Sequence, residues 1–280
     1  MTPLDRAHAG SLFARTYLMC PPDHFTVSYA INPWMDPALP VDLALARDQW
    51  ERLRATYAGL GHAVHVIDPE PGLPDMVFAA NGATVIGGKV LGARFRHAER
   101  HPESVAYLNW FRRSGYRSVT EAAHVNEGEG DIVYAHTAII AGHGFRTERS
   151  AHDQIEAVFG LPVISVRLVD PRFYHLDTCF CPLPRGYVMY YPNAFSPASQ
   201  SRLRGLIPWE QSILVGEEDA TQFACNAVNI GDQVILNGAS ESLVAALARA
   251  GFQTQQSTLS EFLRAGGASK CLTLRLEEGL

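Results

Sequence analysis

The stretch Ala83-Thr-Val-Ile-Gly-Gly-Lys-Val-Leu-Gly92 decides the fold class. Two short runs of mainly aliphatic residues flank a Gly-Gly pair, which is typical of a β-hairpin because both residues of its turn adopt a positive φ. Upstream, apolar residues at helical spacing predict a helix from Asp42 to Gly59, followed by a strand at Ala63–Ile67. The apolar residues with this spacing are Ala46, Trp50, Leu53, Tyr57 and Leu60. The chain therefore alternates helices with short strands.

The same alternation continues along the rest of the chain. Further strands are predicted at Asp131–Ala141, Val163–Val169 and Gly186–Tyr191. Further helices are predicted at Glu103–Arg113, Ser150–Phe159, Pro197–Leu206, Ser240–Ala250 and Ser257–Arg264, the last with a Thr258/Glu261 capping box and a Gly266-Gly267 end. The units recur at intervals of roughly 40 to 50 residues, which indicates a repeating α/β architecture. Because no Pro-rich or Ser-rich linker divides the chain, we expect residues 1–280 to form one domain.

Composition and charge exclude several classes of protein. Of the 280 residues, 47% are hydrophobic and 19% are charged, as in ordinary globular proteins. A net charge of -6 without a run of Lys and Arg argues against nucleic-acid binding. No apolar stretch is long enough to span a membrane, and the first twenty residues do not resemble a signal peptide. We therefore expect a cytoplasmic protein.

The cysteine pattern favours free thiols over disulfides or a metal site. The five cysteines are an odd number with wide spacings, which suits a reducing compartment. Cys179 and Cys181 lie near His175, but no second Cys-x-x-Cys or His pair completes a tetrahedral ligand set. The common nucleotide-binding glycine motifs are absent, and the acidic residues of Glu127-Gly-Glu-Gly-Asp131 would repel phosphate. We expect no metal, and a carboxylate site at Glu127 and Asp131.

Cys271 is a candidate nucleophile. It lies between Gly266-Gly267 and a predicted alternating strand, Leu272–Leu276, and catalytic residues often occupy such a strand end beside a loop. The neighbouring Lys270 would lower the pKa of the thiol. The alternative is that Cys271 is a small buried apolar residue.

A histidine and several carboxylates supply partners for this thiol. In an extended strand, His175, Asp177, Cys179 and Cys181 would share one face, giving a general acid/base beside an anion. The alternatives are a half-buried strand histidine and, for Glu127 and Asp131, a solvated acidic turn. Together a thiol, an imidazole and acidic groups suit attack on an electron-poor carbon bonded to nitrogen, and a guanidinium fits the carboxylates. A cysteine peptidase would not need the additional carboxylates.

Five motifs in this order resemble the guanidine-modifying superfamily, which includes arginine deiminase, dimethylarginine dimethylaminohydrolase and the amidinotransferases. The motifs are Pro74-Asp75-Met-Val-Phe-Ala-Ala-Asn81, Glu127 to Asp131, Gly144-Phe-Arg146-Thr, Phe173 to Cys181 and Gly266 to Cys271. The resemblance spans nearly the whole chain. It implies the pentein fold, a five-bladed α/β propeller with pseudo-fivefold repeats and the substrate in a central channel.

The resemblance also implies a role for individual residues. Cys271 matches the nucleophile, His175 the general acid/base, and Glu127 the acidic partner that holds the guanidinium. Arg146 matches an arginine that grips the amino-acid carboxylate. The substrate-binding set carried over is Asn32, Asn81, Arg100, Arg146, Asp177, Asp75, Asp131 and the carbonyl of Ala265. No metal or organic cofactor is implied, and we expect a small guanidino substrate and a homo-oligomer.

Three departures indicate the subfamily. Asn81 stands where arginine deiminases and dimethylarginine hydrolases usually have Asp, Ala80 stands where the latter commonly have Glu, and the acidic turn is one residue longer than usual. Asn32 and Asn81 match the paired asparagines of bacterial arginine dihydrolases, which convert arginine to ornithine, carbon dioxide and two ammonia. The alternatives are dimethylarginine dimethylaminohydrolase activity, which yields citrulline and dimethylamine, and a catalytically silent pentein that acts as a binding protein.

Overall fold

Five three-stranded sheets make up the chain in the computed structural model, which describes residues 15–135 and 137–276. The first twenty residues, which do not resemble a signal peptide, therefore lie mostly outside the described residues. The strands are β1 (Thr16–Met19), β2 (Ala63–Val66), β3 (Ala83–Ile86), β4 (Lys89–Gly92), β5 (Ser118–Thr120), β6 (Ile132–Ala135), β7 (Ala138–His143), β8 (Val163–Arg167), β9 (Phe180–Pro182), β10 (Val188–Tyr190), β11 (Ser212–Leu214), β12 (Val228–Ile230), β13 (Gln233–Leu236), β14 (Gln253–Gln256) and β15 (Leu274–Arg275). The helices are α1 (Leu43–Gly59), α2 (His101–Arg113), α3 (Ala151–Phe159), α4 (Pro197–Leu206), α5 (Glu217–Thr221), α6 (Glu241–Arg249) and α7 (Ser260–Leu263).

One supersecondary unit is repeated around the molecule. In the unit β3–β4–α2–β5, the first two strands are antiparallel, and the helix leads to a third strand parallel to the second. The units β6–β7–α3–β8, β9–β10–α4–β11 and β12–β13–α6–β14 have the same order and directions. In the remaining unit, β1 pairs in parallel with β2 and antiparallel with β15. The end of the described chain thus completes the unit that its beginning opens.

Local sequence explains most of these elements. The turn between β3 and β4 has Gly87 at φ 58° and Gly88 at φ 73°, which confirms the predicted hairpin. Helix α1 begins where the Asp42 side chain accepts a hydrogen bond from Leu45 N. The face predicted to be buried is buried except for Leu60, which lies just past the end of the helix and is 37% exposed. Within this face, Tyr57 contacts Thr273 through a 3.0 Å hydroxyl–hydroxyl hydrogen bond.

Apart from the segments around His175 and Cys271, two of the predicted elements are wrong. The single strand predicted at Asp131–Ala141 is a hairpin in which β6 and β7 are antiparallel, because its two apolar halves pair with each other. The helix predicted at Ser257–Arg264 is reduced to the four residues of α7, and no side chain caps it. Glu261 instead accepts a hydrogen bond from Asp42 N and forms an ion pair with Arg264.

The chain enters the first strand of each unit through a short turn, and these turns meet one another. Asn81, Gly130, Thr178 and Asn226 each lie two residues before such a strand, and Cys271 lies three residues before β15. Ala80 N donates a 3.1 Å hydrogen bond to Cys271 O, which joins the first turn to the last. The repeat therefore gathers residues that are distant in sequence at one place. Among the described residues, no helix is long and apolar enough to cross a membrane.

Candidate active site

Cys271 is buried where the turns meet, with 2% of its surface exposed. Its Sγ lies 3.1 Å from Asn226 Nδ2, and it donates to Asp177 Oδ2 at 3.4 Å. Burial, reinforced by the Asp177 carboxylate, raises the pKa of this thiol well above its usual value. The pKa of the thiol is therefore not lowered, contrary to the prediction made from the neighbouring Lys270. Lys270 Nζ instead forms an ion pair with Glu129 Oε2 at 2.6 Å.

The alternation of residues predicted one extended strand from His175 to Cys181, but the structure does not contain it. A short 3-10 turn at Leu176–Thr178 interrupts it, and only Phe180–Pro182 is a strand. The turn directs Asp177 to Cys271, while Cys179 and Cys181 lie in the apolar core and donate weak hydrogen bonds to backbone carbonyls. Cys179 and Cys181 therefore take no part in the site. The predicted strand Leu272–Leu276 is likewise reduced to β15.

Burial raises the pKa of Asp177 to about 6. A carboxyl group with a raised pKa in the folded state is destabilising once ionised, so the free energy of unfolding falls as the pH rises from about 4 to about 6. We expect Asp177→Asn to stabilise the fold at pH 8 by on the order of 2 kcal/mol, and to have a much smaller effect at pH 4. Urea unfolding at both pH values measures this difference.

The control for this prediction is Asp153→Asn, because the side chain of Asp153 is 91% exposed and lies on the outer surface. This substitution should change the free energy of unfolding little at either pH. A gain for Asp177→Asn that is the same at pH 4 and pH 8 would contradict a cost of ionisation at this position.

Glu127 is fully buried and holds His175. Its Oε2 accepts hydrogen bonds from His175 Nε2 at 2.7 Å and Arg146 Nη1 at 2.8 Å, and its Oε1 accepts one from Arg96 N. Burial alone would raise the pKa of Glu127, but Arg146 and His175 outweigh burial and hold it well below its usual value. An ionised Glu127 only accepts hydrogen bonds, so the proton of a neutral imidazole belongs on Nε2 and the lone pair on Nδ1.

Arg100 is buried beside Asn81. Its Nε and Nη2 donate to Glu103, its Nη1 donates to Asn81 Oδ1 at 2.9 Å, and its Nη2 also donates to Asp75 O. Arg100 thus orients Asn81, and its contact with a substrate stays a prediction. Because Arg100 only donates, Asn81 must present its oxygen to Arg100 and its NH2 group away from it.

The segment from Tyr29 to Trp34 covers the site through several hydrogen bonds. Tyr29 donates to Asp75 Oδ2 at 2.9 Å, Asn32 Nδ2 donates to Ala265 O at 3.0 Å, and Arg146 Nη2 donates to Ile31 O at 2.9 Å. The guanidinium of Arg146 also lies 4.6 Å from the centre of the Tyr174 ring. The predicted residues Asn32, Asp75, Arg146 and Ala265 are thus brought together.

Asp131 belongs to the scaffold. Its Oδ1 accepts from Leu176 N at 3.0 Å, and its Oδ2 accepts from Thr147 N at 3.1 Å. Asp131 thus fixes the turn after His175, and its contact with a substrate stays a prediction.

Four polar atoms of the site are buried without a hydrogen-bond partner among the described residues. They are Asp75 Oδ1, Asn81 Nδ2, His175 Nδ1 and Asp177 Oδ1. Such atoms are costly in a folded protein unless a ligand or water satisfies them. A Cβ atom on Gly130 would lie 2.5 Å from Asn81 Nδ2 and 3.2 Å from His175 Nδ1, so glycine keeps the space between them. Two carboxylate oxygens, an imidazole nitrogen and an amide donor suit a ligand that is cationic and rich in N–H groups.

Three contributors were not predicted from the sequence. Asn226 contacts the Cys271 thiol, Glu103 is the counterion of Arg100, and Tyr29 donates to Asp75. Only Glu103 has a local signal, since it lies three residues after Arg100, a spacing at which helical side chains meet. The other two contacts join residues more than 40 positions apart, which a single sequence does not reveal.

Comparison with known proteins identifies close relatives. A family model described as "N,N dimethylarginine dimethylhydrolase, eukaryotic" matches residues 36–276. N(G),N(G)-dimethylarginine dimethylaminohydrolase of Mycobacterium tuberculosis is 50% identical over 94% of this chain and 86% of its own length. The bifunctional arginine dihydrolase/ornithine cyclodeaminase ArgZ of Synechocystis sp. is 44% identical over 93% of this chain, which spans only 37% of that relative.

Solved structures confirm the predicted α/β pentein fold. The N-terminal domain of ArgZ, an arginine dihydrolase from cyanobacteria bound to its product, superposes with a TM-score of 0.92 at 44% identity, over 95% of this chain and 98% of that one. A dimethylarginine dimethylaminohydrolase with 19% identity shares the fold at a TM-score of 0.79 over 94% of this chain and 99% of that one. The chain belongs to the dimethylarginine dimethylaminohydrolase family of the guanidine-modifying, or pentein, superfamily.

Proposed function

We propose that this chain hydrolyses L-arginine to ornithine, carbon dioxide and two ammonia, with citrulline as an intermediate and Cys271 as the nucleophile. The relatives named arginine dihydrolase, at 44% and 43% identity, support this reaction. The observation that carries it is the orientation of Asn81. Its oxygen is held by Arg100, and its buried NH2 group has no partner among the described residues.

The Asn81 amide suits the second hydrolysis better than a carboxylate would. Citrulline carries a neutral ureido group, whose oxygen accepts hydrogen bonds. An ionised Asp can only accept hydrogen bonds and would repel that oxygen, whereas the Asn81 NH2 group donates to it. In this proposal, Asn81 retains citrulline and polarises its carbonyl for a second attack by Cys271.

The first round starts from a protonated thiol. The arriving guanidinium pairs with Asp177, and the thiol proton passes to His175 Nδ1, which the hydrogen bond to Glu127 leaves as the basic nitrogen. The thiolate attacks the guanidinium carbon, and the C–N bond breaks as His175 protonates the leaving ammonia. Water, deprotonated by His175, then attacks the thiouronium carbon. The C–S bond breaks, citrulline forms, and the thiol is restored.

The second round uses the same residues on citrulline. Thiolate attack on the ureido carbon and proton transfer from His175 release the second ammonia, which leaves a thiocarbamate on Cys271. Water cleaves the C–S bond, and the resulting carbamate loses carbon dioxide to give ornithine. Arginine and two waters are thus consumed for each ornithine, carbon dioxide and pair of ammonia released.

Dimethylarginine hydrolysis is the second candidate, because the relative with 50% identity is named for that reaction. Ala80, where that group commonly has Glu, leaves a small side chain next to Asn81. In this alternative, dimethylamine leaves in place of ammonia, and citrulline is the final product.

Product analysis with each substrate separates the two candidates. We expect ornithine and two equivalents of ammonia from arginine, and little dimethylamine from dimethylarginine. Citrulline and dimethylamine alone, formed only from dimethylarginine, would establish the alternative. Labelling of Cys271 by a chloroacetamidine with no turnover of either substrate would instead indicate a binding protein.

Asn81→Asp tests the role assigned to the amide. The variant should retain the first hydrolysis in part but lower the ornithine-to-citrulline ratio by at least about tenfold, because the carboxylate no longer donates to the ureido oxygen. The ratio is measured by amino-acid analysis during turnover. Asn237→Asp is the control, since that buried amide contacts backbone atoms of Gln222 and Leu259 instead. An unchanged ratio in Asn81→Asp would contradict the proposal.

A further inference from the structure

The Asn226 side chain has only one orientation that satisfies its surroundings. Its Oδ1 accepts hydrogen bonds from Ala268 N at 3.0 Å and Cys271 N at 3.1 Å. Backbone N–H groups only donate, so the oxygen must face them, and the NH2 group must face the opposite side. There, Nδ2 lies 3.1 Å from Cys271 Sγ and 3.2 Å from Asp177 O. A fully buried amide therefore directs a donor at the sulfur.

No other side chain among residues 15–135 and 137–276 donates a hydrogen bond to this sulfur. Asp177 Oδ2 accepts from the thiol and would repel a thiolate. The hydroxyl of Tyr174, which also lies near Cys271, donates to Gly266 O, and the ammonium of Lys270 donates to Glu129 and Thr273 O. His175 donates to Glu127 through Nε2. Asn226 is thus the described side chain placed to stabilise negative charge on sulfur.

We propose that Asn226 is a catalytic residue that donates a hydrogen bond to the Cys271 thiolate and holds the sulfur beside Asp177. This inference rests on one part of the proposed function, namely that Cys271 is the nucleophile. Sulfur carries negative charge before each attack and again whenever a C–S bond breaks. A donor fixed by two backbone amides would stabilise the thiolate at each of these points without reorganising.

The test measures the reactivity of Cys271 without any substrate. Wild type, Asn226→Ala and Asn226→Asp are alkylated with iodoacetamide from pH 6 to pH 11, and mass spectrometry follows the peptide that contains Cys271. Both variants should react roughly ten- to hundredfold more slowly at pH 8, with the midpoint of the pH profile displaced upward by about one unit or more. Asn226→Asp keeps the acceptor for both backbone amides but lacks the donor. Because the new carboxylate would itself raise the pKa of the nearby thiol, the neutral Asn226→Ala variant decides whether the lost donor slows alkylation.

Asn237→Ala is the matched control, because it removes another buried amide that joins two backbone segments without contacting a thiol. It should alkylate like wild type. Wild-type profiles for both Asn226 variants would overturn the inference. The expected upward shift in the profiles of the Asn226 variants could occur while the wild type hydrolyses neither arginine nor dimethylarginine. This result would support the inference about Asn226 and overturn the proposed function.

Discussion

Replacing Cys271 with serine is expected to abolish turnover of arginine while leaving arginine binding largely intact. A serine hydroxyl in this buried position has no base strong enough to ionise it, and its oxygen is a poorer nucleophile and leaving group than sulfur. Loss of a catalytic nucleophile typically costs about 10⁴-fold or more in kcat. Ammonia release measures turnover, and titration calorimetry measures binding.

The matched control is Cys225→Ser. Cys225 is as buried as Cys271 but belongs to an apolar core cluster, so the same exchange of sulfur for oxygen should lower stability and leave kcat within a few-fold of wild type. Retention of turnover in Cys271→Ser would contradict the assignment of the nucleophile. Equal loss of binding and turnover would indicate that the substitution only disrupts the pocket.

Elements with a strong local pattern could be predicted from the sequence. Helix α1 follows from one apolar stripe and an Asp cap, and the β3–β4 hairpin follows from its Gly-Gly turn. The segment after His175 could not be predicted, because its polar and apolar residues alternate as in a strand. A contact 45 residues away decides its conformation, since Asp131 accepts the Leu176 N–H that an extended strand would offer to a neighbouring strand.

The residues of the site were predicted better than their orientations. Glu127 contacts His175, and Cys271 contacts Asp177 two residues further on, because the repeat brings the turns before successive units together. Adjacency in sequence was misleading for Lys270, whose ammonium reaches Glu129 rather than the neighbouring thiol. Arg100 was assigned to the substrate through the resemblance, whereas its guanidinium contacts Glu103, three residues further along the helix, and Asn81. Side-chain direction in turns depends on such distant partners.

Glu127→Gln is expected to lower kcat by about 10²- to 10⁴-fold, because it removes the anion that fixes the imidazole of His175. The glutamine amide has the same shape, but its NH2 group must face at least one of the N–H groups that now donate to the Glu127 carboxylate. The buried Arg146 also loses its counterion, which costs about 3 to 5 kcal/mol of stability in comparable buried pairs. Steady-state kinetics and urea unfolding measure the two effects separately.

The pH dependence and a neighbouring glutamate separate the two effects of Glu127. Because the pKa of Glu127 is held well below its usual value, the stability gained from its ionised form is present above about pH 4.3 and lost as the pH falls through the folded-state pKa. The stability difference between wild type and Glu127→Gln should therefore be largest at neutral pH and shrink in acid.

Glu129→Gln is the control, because it also breaks a buried ion pair, with Lys270, but leaves His175 untouched. It should lower stability with a much smaller effect on kcat, and an equal loss of kcat in both variants would contradict a specific role for Glu127 in holding His175.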